Sequence, residues 1–115
     1  MKQTYISFYL RSNNILIYRS ALKEIGEPKR ICFMFSDDGK QLLIKPYEKV
    51  DFKSHKVPRS AYAGKVSMRI ASKKLCTLLI NKYNWNGTKS YRVLGEIRPE
   101  QRIVLFDLES AKIIE

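Results

Sequence analysis

Histidine is all but missing from this chain, and with it goes most of the chemistry that needs a proton carrier near neutral pH. His55 stands alone, and no Ser-His-acid set or pair of carboxylates can be argued from the spacing. Cysteine is nearly as scarce. Cys32 and Cys76 each lie inside an apolar stretch, ICFMF and KLCTLLI, which reads as two buried thiols in a reducing cytosol rather than a disulfide. Two cysteines and one histidine without close spacing also argue against a zinc site. There is no Gly-rich loop to cradle phosphate. No apolar run approaches the ~18 residues of a membrane-crossing helix. The opening MKQTYISFYLRSNN holds an apolar stretch of six residues and no small-residue cleavage site, so no secretory signal is expected. No catalytic residue, metal ligand or cofactor is expected, and the expected compartment is the cytoplasm.

Acids are the other shortage. Against 22 Lys and Arg stand 11 Asp and Glu, for a net charge of +11. The excess is uneven: residues 40–74 hold ten bases and two acids, whereas 1–39 give +2, 75–92 give +3 and 93–115 give −2. Like charge gathered in mid-chain tolerates a self-repulsion that a polyanion would relieve. Nucleic acid is the partner this implies, duplex DNA ahead of RNA, with a nucleoprotein complex next. No membrane partner is expected, and a homodimer is left open. The stretch KPYEKVDFKSHKVPRSAYAGK, residues 45–65, carries six Lys/Arg against two acids. It reads as neither helix nor strand, a basic segment that connects and also contacts.

What is present in quantity is strand-forming sequence. Thr4–Leu10 and Ile15–Tyr18 read as extended segments around the Ser12-Asn13-Asn14 turn. Ser20 is placed to cap a short helix whose apolar positions are Ala21, Leu22 and Ile25, with Gly26 at its end. Ile31–Phe35 and Gln41–Lys45 flank the turn Ser36-Asp37-Asp38-Gly39. Lys65–Ile70 alternates, with Val66, Met68 and Ile70 on one face. Ser72 caps a longer helix through Tyr83, with Leu75, Leu78, Leu79 and Tyr83 as its stripe. Tyr91–Ile97 and Ile103–Leu108 close the chain. The expected fold is α+β: mainly antiparallel strands with two helices, an arrangement open to two β-α-β-β repeats sharing one core. Residues 1–46 form the first half, 47–64 the connecting segment and 65–115 the second half of one compact unit.

The segment ILIYRSALKEIGEPKRICFMFSDDGKQLLIKP resembles the swapped-hairpin module of AbrB-like bacterial transcription factors. Leu22, Ile25, Gly26, Asp38, Gly39, Leu43, Ile44 and Pro46 fall at matching places. The second half is similar but looser, and the tandem order resembles MraZ-type proteins. A Gly-Asp pair usual before the third strand is replaced here by Glu27-Pro28-Lys29-Arg30. The resemblance implies a DNA-binding transcriptional regulator. It places Arg19, Lys23, Lys29 and Arg30 of the first half and Lys65, Arg69, Lys73 and Lys74 of the second against DNA. Lys49, Lys53, Lys56 and Arg59 of the connecting segment join them on charge alone. Arg would read bases through its fork, and Lys would neutralise phosphate.

Two other readings use the same residues. A phage or mobile-element inhibitor could occupy a nucleic-acid-binding site of a nucleoprotein enzyme such as a CRISPR effector. A small basic ribonuclease could centre on His55 beside Lys53, Lys56 and Arg59, whose charge would stabilise a pentavalent phosphate. Tyr9, Tyr18, Tyr47, Phe52, Tyr62, Tyr83, Trp85 and Tyr91 interleave with the bases. Exposed, they could stack on unpaired bases; buried, they are core.

Overall fold

Alternation builds the strands. In β1 (Lys2–Tyr9) Thr4, Ile6 and Phe8 are buried while Gln3 and Tyr5 are exposed, and β2 (Asn14–Tyr18) buries Ile15 and Ile17. The structure is a computed structural model that describes residues 2–51, 53–63 and 67–114, without the side chains of 60 and 61. Lys65, Val66 and Phe52, singled out in the sequence, lie outside the described residues. The remaining elements are α1 (Arg19–Glu24), β3 (Arg30–Phe35), β4 (Gln41–Pro46), β5 (Ser54–Lys56), β6 (Ser67–Ala71), α2 (Lys73–Tyr83), β7 (Ser90–Arg98), β8 (Ile103–Asp107) and β9 (Lys112–Ile113). All ladders are antiparallel, in the order β5-β3-β4-β8-β7-β1-β2-β6, with β9 beside β7. The sheet curls into a nearly closed barrel.

The α+β expectation is therefore corrected: the fold is largely β. A sheet that closes on itself gives every strand an inner face, so the strands supply most of the core without helices as a second layer. Ile6, Phe8, Ile15, Ile17, Leu42, Ile44, Val93, Val104 and Phe106 are fully buried, and the helices add Ala21, Leu22, Cys76 and Leu79. The β-α-β-β unit is corrected too. Exchanging β1 with β5, β2 with β6, β3 with β7 and β4 with β8 leaves the circular strand order unchanged. Each half thus supplies β-β-α-β-β, and β5 is the counterpart of β1. The one ladder that this exchange requires and the described residues lack is β5–β6. That is where the barrel stays open.

Residues 45–65, expected to lack regular structure, contain β5 and a 3-10 turn at Arg59–Tyr62. Three residues are too few to show a period of two. Pairing with β3 holds β5 in place, His55 opposite Ile31, and the Val57 N–H donates to the Lys29 carbonyl at 2.8 Å. The Tyr62 hydroxyl donates to the Pro28 carbonyl at 2.8 Å and ties the turn to the loop after α1.

Ser20 does not cap α1. The helix begins two residues earlier than such a cap would set it, at Arg19, and its N-cap, Tyr18, makes no side-chain capping bond. Its other end follows the glycine. At Gly26 (φ 100°) the chain turns left-handed, and the Gly26 and Glu27 N–H groups donate to the Lys23 and Leu22 carbonyls at 3.2 and 3.1 Å, a Schellman closure. Arg102 completes that end from the β7–β8 turn, its Nε donating to the Ile25 carbonyl at 3.3 Å. In α2 the Ser72 hydroxyl does accept from the Leu75 N–H, at 3.3 Å. The expected stripe is narrower: Leu79 is buried, Leu75 and Tyr83 are half-buried, and Leu78 is exposed, while Cys76 turns inward.

Candidate nucleic-acid interface

The cations expected to meet a partner separate into groups set by strand register. Arg30 lies opposite Lys56 across the β3–β5 ladder, and its Nε donates to the Ser54 hydroxyl at 2.8 Å. Lys29, Lys49, Lys53, Lys56 and Arg59 are exposed around this edge. The loop between β4 and β5 is shaped by Asp51, whose carboxylate accepts from the Tyr47 hydroxyl at 2.8 Å and the Lys53 N–H at 2.9 Å. The Tyr47 hydrogen bond, with the Lys53 N–H behind it, holds that carboxyl below the usual Asp range. The 3-10 turn Arg59–Tyr62 packs on α1, which carries Arg19, half-buried, and Lys23, exposed. These residues form one group.

A second group lies elsewhere. β1 ends where β7 begins (Tyr9 opposite Ser90), and β2 starts opposite the end of β6 (Asn14 opposite Ala71). The Ser72 N–H donates to the Asn13 carbonyl at 2.9 Å, so α2 starts against the β1–β2 turn. Lys73 and Lys74 are exposed in its first turn. Arg69 projects outward from β6, opposite Leu16. The expected set is therefore not one patch. Lys73 and Lys74 sit at the β1–β2 turn, and Arg30 and Lys56 sit near the end of β4, where Ile31 faces Pro46. β6 and β5, the two strands bordering the open seam, carry Arg69 and Lys56 between them.

Three further cations belong here and carried no separate signal of their own. Arg11 and Lys89 are exposed beside the β1–β2 turn and the start of β7, and Arg92 is exposed on the outer face of β7. The signal that finds them is the distribution of acids. Residues 1–23 and 52–95 contain no Asp or Glu, yet hold four and ten of the 22 bases. Those stretches supply β5, β6, β2, β1 and all but the last three residues of β7, most of one side of the barrel. Acids come from other segments: Glu96, Glu100, Asp107 and Glu109 follow in the chain, and Arg98 pairs with Glu96 at 2.6 Å. Glu24 of α1 reaches Lys2 of β1, and Glu109 lines a hollow with Tyr5 and Arg92.

The aromatic residues divide as well. Trp85 stacks on Tyr91 with ring centroids 4.4 Å apart and touches Phe8 at 5.6 Å, all three in the core. Tyr62, held by its bond to Pro28 and partly buried, has its phenol pushed up to about 12, chiefly by burial. On the outer face of β1 and β2, Tyr5 is exposed and Tyr9 and Tyr18 half-exposed, and the Arg92 guanidinium lies over the Tyr5 ring at 5.5 Å.

His55 is half-buried with its ring edge-on to Phe33 at 5.2 Å. Burial, and then the Arg30 charge, lower its pKa, which disfavours the imidazolium form. Both cysteines are buried and unpaired as disulfides, and burial pushes the Cys76 thiol up to about 11. Among the described residues no three His, Cys, Asp or Glu side chains converge as metal ligands would. No helix among them is long and apolar enough to cross a membrane. Comparison of the chain with protein-family models, with curated proteins and with solved structures finds no match in any of the three.

Proposed function

We propose that this chain binds nucleic acid through the base-rich, acid-poor side of its barrel and acts by occupancy rather than catalysis, as a regulator of a bacterium or mobile element would. The observation that carries the reading is the segregation of charge. Exposed bases are spread over strands contributed by two distant, acid-free stretches, 1–23 and 52–95, which the fold brings side by side. A solvated surface chosen only for solubility has no need to leave two such long stretches without a single carboxylate. The resemblance to AbrB-like modules supports the same reading. Of its carrier residues, Leu22, Ile25 and Ile44 are buried, Asp38 and Gly39 form the β3–β4 turn, and Leu43 and Pro46 are half-exposed on β4.

Affinity from such a surface is electrostatic, so it must fall steeply with salt. If Arg11, Arg69, Lys73, Lys74 and Lys89 each neutralise one phosphate of a single strand, the slope of log K against log salt is about −3.5. That is a loss of roughly 100-fold between ~50 and ~200 mM. Titrating labelled duplex and single-stranded oligonucleotides at both salt concentrations tests this. Binding to neither at the lower concentration would remove the proposal.

A further inference from the structure

One hollow on the base-rich, acid-poor side is built for more than charge. Tyr9, Arg11, Ser12, Asn14, Arg69 and Ser90 line a cavity of about 290 Å³ at the β1–β2 turn. Its rim is fixed by local bonds: the Ser12 hydroxyl donates to the Tyr9 carbonyl at 3.3 Å and accepts from the Asn14 amide at 3.0 Å. The turn itself is closed by the Ser12 and Asn13 N–H groups on the Tyr9 and Leu10 carbonyls, with Asn13 left-handed at φ 57°. Neither Arg11 nor Arg69 has a carboxylate within ion-pair distance among the described residues. The hollow therefore joins two guanidinium forks, a half-exposed phenol ring and a side-chain amide, Arg69, Tyr9 and Asn14 on strands and Arg11 on the hydrogen-bonded turn between β1 and β2. Lys73 stands exposed just beyond, in the first turn of α2.

We infer that this hollow seats one unpaired nucleotide of a single strand, with Arg11 and Arg69 on its phosphate and Tyr9 under its base. The inference rests on the nucleic-acid reading above and names the form of nucleic acid. Guanidinium forks match phosphate geometry, and a tyrosine ring offers a stacking face to any base. A base inside a duplex cannot present that face, because its neighbours already cover it. Tyr5 lies on the same outer face of β1, four residues and about 13.6 Å along it, within reach of the same strand. The edge of the hollow is open to solvent along β2 and β6, where Tyr18 and the exposed Ala71 continue the same face.

The test measures anisotropy of a labelled thymidine oligonucleotide of about 16 residues and of a hairpin duplex of similar length. Wild type, Tyr9→Leu, Tyr9→Phe and Arg69→Gln are compared, each checked for an unchanged melting temperature. The single strand should bind more tightly than the duplex. Tyr9→Leu should weaken it roughly five- to 150-fold, as loss of one base stack does, while Tyr9→Phe keeps wild-type affinity. Arg69→Gln should reduce the salt slope by about 0.7. Binding that is intact but indifferent to Tyr9→Leu and Arg69→Gln overturns the hollow and leaves the broader reading standing. A duplex bound as tightly as the single strand, or thymidine monophosphate competing as well as the oligonucleotide, also overturns it. Binding to neither nucleic acid overturns both.

Discussion

Gly95 sits at the centre of β7, between Thr4 of β1 and Phe106 of β8. A methyl group there would lie 2.4 Å from Phe106 Cδ1, 2.6 Å from Cε1 and 3.0 Å from the Leu105 carbonyl oxygen. Comfortable carbon contacts begin near ~3.5 Å, so the ring would have to retreat by about 1 Å. Phe106 is fully buried, and a close-packed interior has nowhere to put it without moving further side chains. Overpacking of this kind costs about 1–3 kcal/mol, and the high end suits a clash this deep with a stiff ring. Removing a glycine from a strand returns about 0.5–1 kcal/mol. Gly95→Ala should therefore destabilise by about 2 kcal/mol. With unfolding entropy near 2.1 cal/mol/K per residue, a chain of this length loses about 8 °C of melting temperature. Calorimetry or thermal circular dichroism reads this directly. Phe106→Leu in the same chain makes room for the methyl, so the double variant should be less destabilised than the sum of the singles by 1 kcal/mol or more. An alanine variant that melts at or above wild type would refute the packing of β7 against β8.

Three further outcomes follow from other parts of the fold. Ser72→Ala removes the side-chain acceptor at the start of α2 and should cost about 1 kcal/mol in chemical denaturation. Tyr62→Phe deletes the bond to Pro28 and should cost about 1 kcal/mol. Because the folded phenol is raised to about 12 from its ordinary value of 10.0, the neutral form is favoured in the fold. Its contribution is fully present below pH 10 and is lost as pH rises towards 12. Wild type should thus lose stability over that window and Tyr62→Phe should lose less. Replacing Lys49, Lys53, Lys56 and Arg59 with Gln should leave the melting temperature within a few degrees and weaken nucleic-acid binding. Unchanged binding would reduce the connecting segment to a tether.

The parts of this fold that were legible in the sequence are those decided within a few residues. Ser72 caps α2 because a hydroxyl three residues before an amide is a local arrangement, and Gly26 closes α1 because only the left-handed turn mattered. Asp38-Gly39 marks its turn for the same reason. Ser20 failed because the chain enters α1 directly from β2, and strand pairing with β6 rather than a cap sets where the helix starts. β5 was invisible because three residues paired on an edge leave no pattern. Barrel closure depends on β4 meeting β8 and β2 meeting β6, contacts with no local signature, so the sequence shows two helices more plainly than the closing sheet. The interface was half legible. Its charge shows in the composition, but the basic excess of residues 40–74 lies on and beside strands that register joins to residues from elsewhere in the chain. Arg11 and Lys89 emerge only when β7, β1, β2 and β6 are laid edge to edge, and only then does the absence of acids from 1–23 and 52–95 mark one side of the molecule.

Where a bound strand touches the protein is the most direct question left. A thymidine oligonucleotide carrying photoreactive bases, cross-linked to the protein and mapped by mass spectrometry, answers it without relying on substitutions. Attachment should concentrate in peptides containing Tyr9–Asn14 and Arg69–Lys74, with a smaller share near Lys56 and Arg59. Cross-links confined to residues 96–109, the acidic stretch around the β7–β8 turn, would contradict the account.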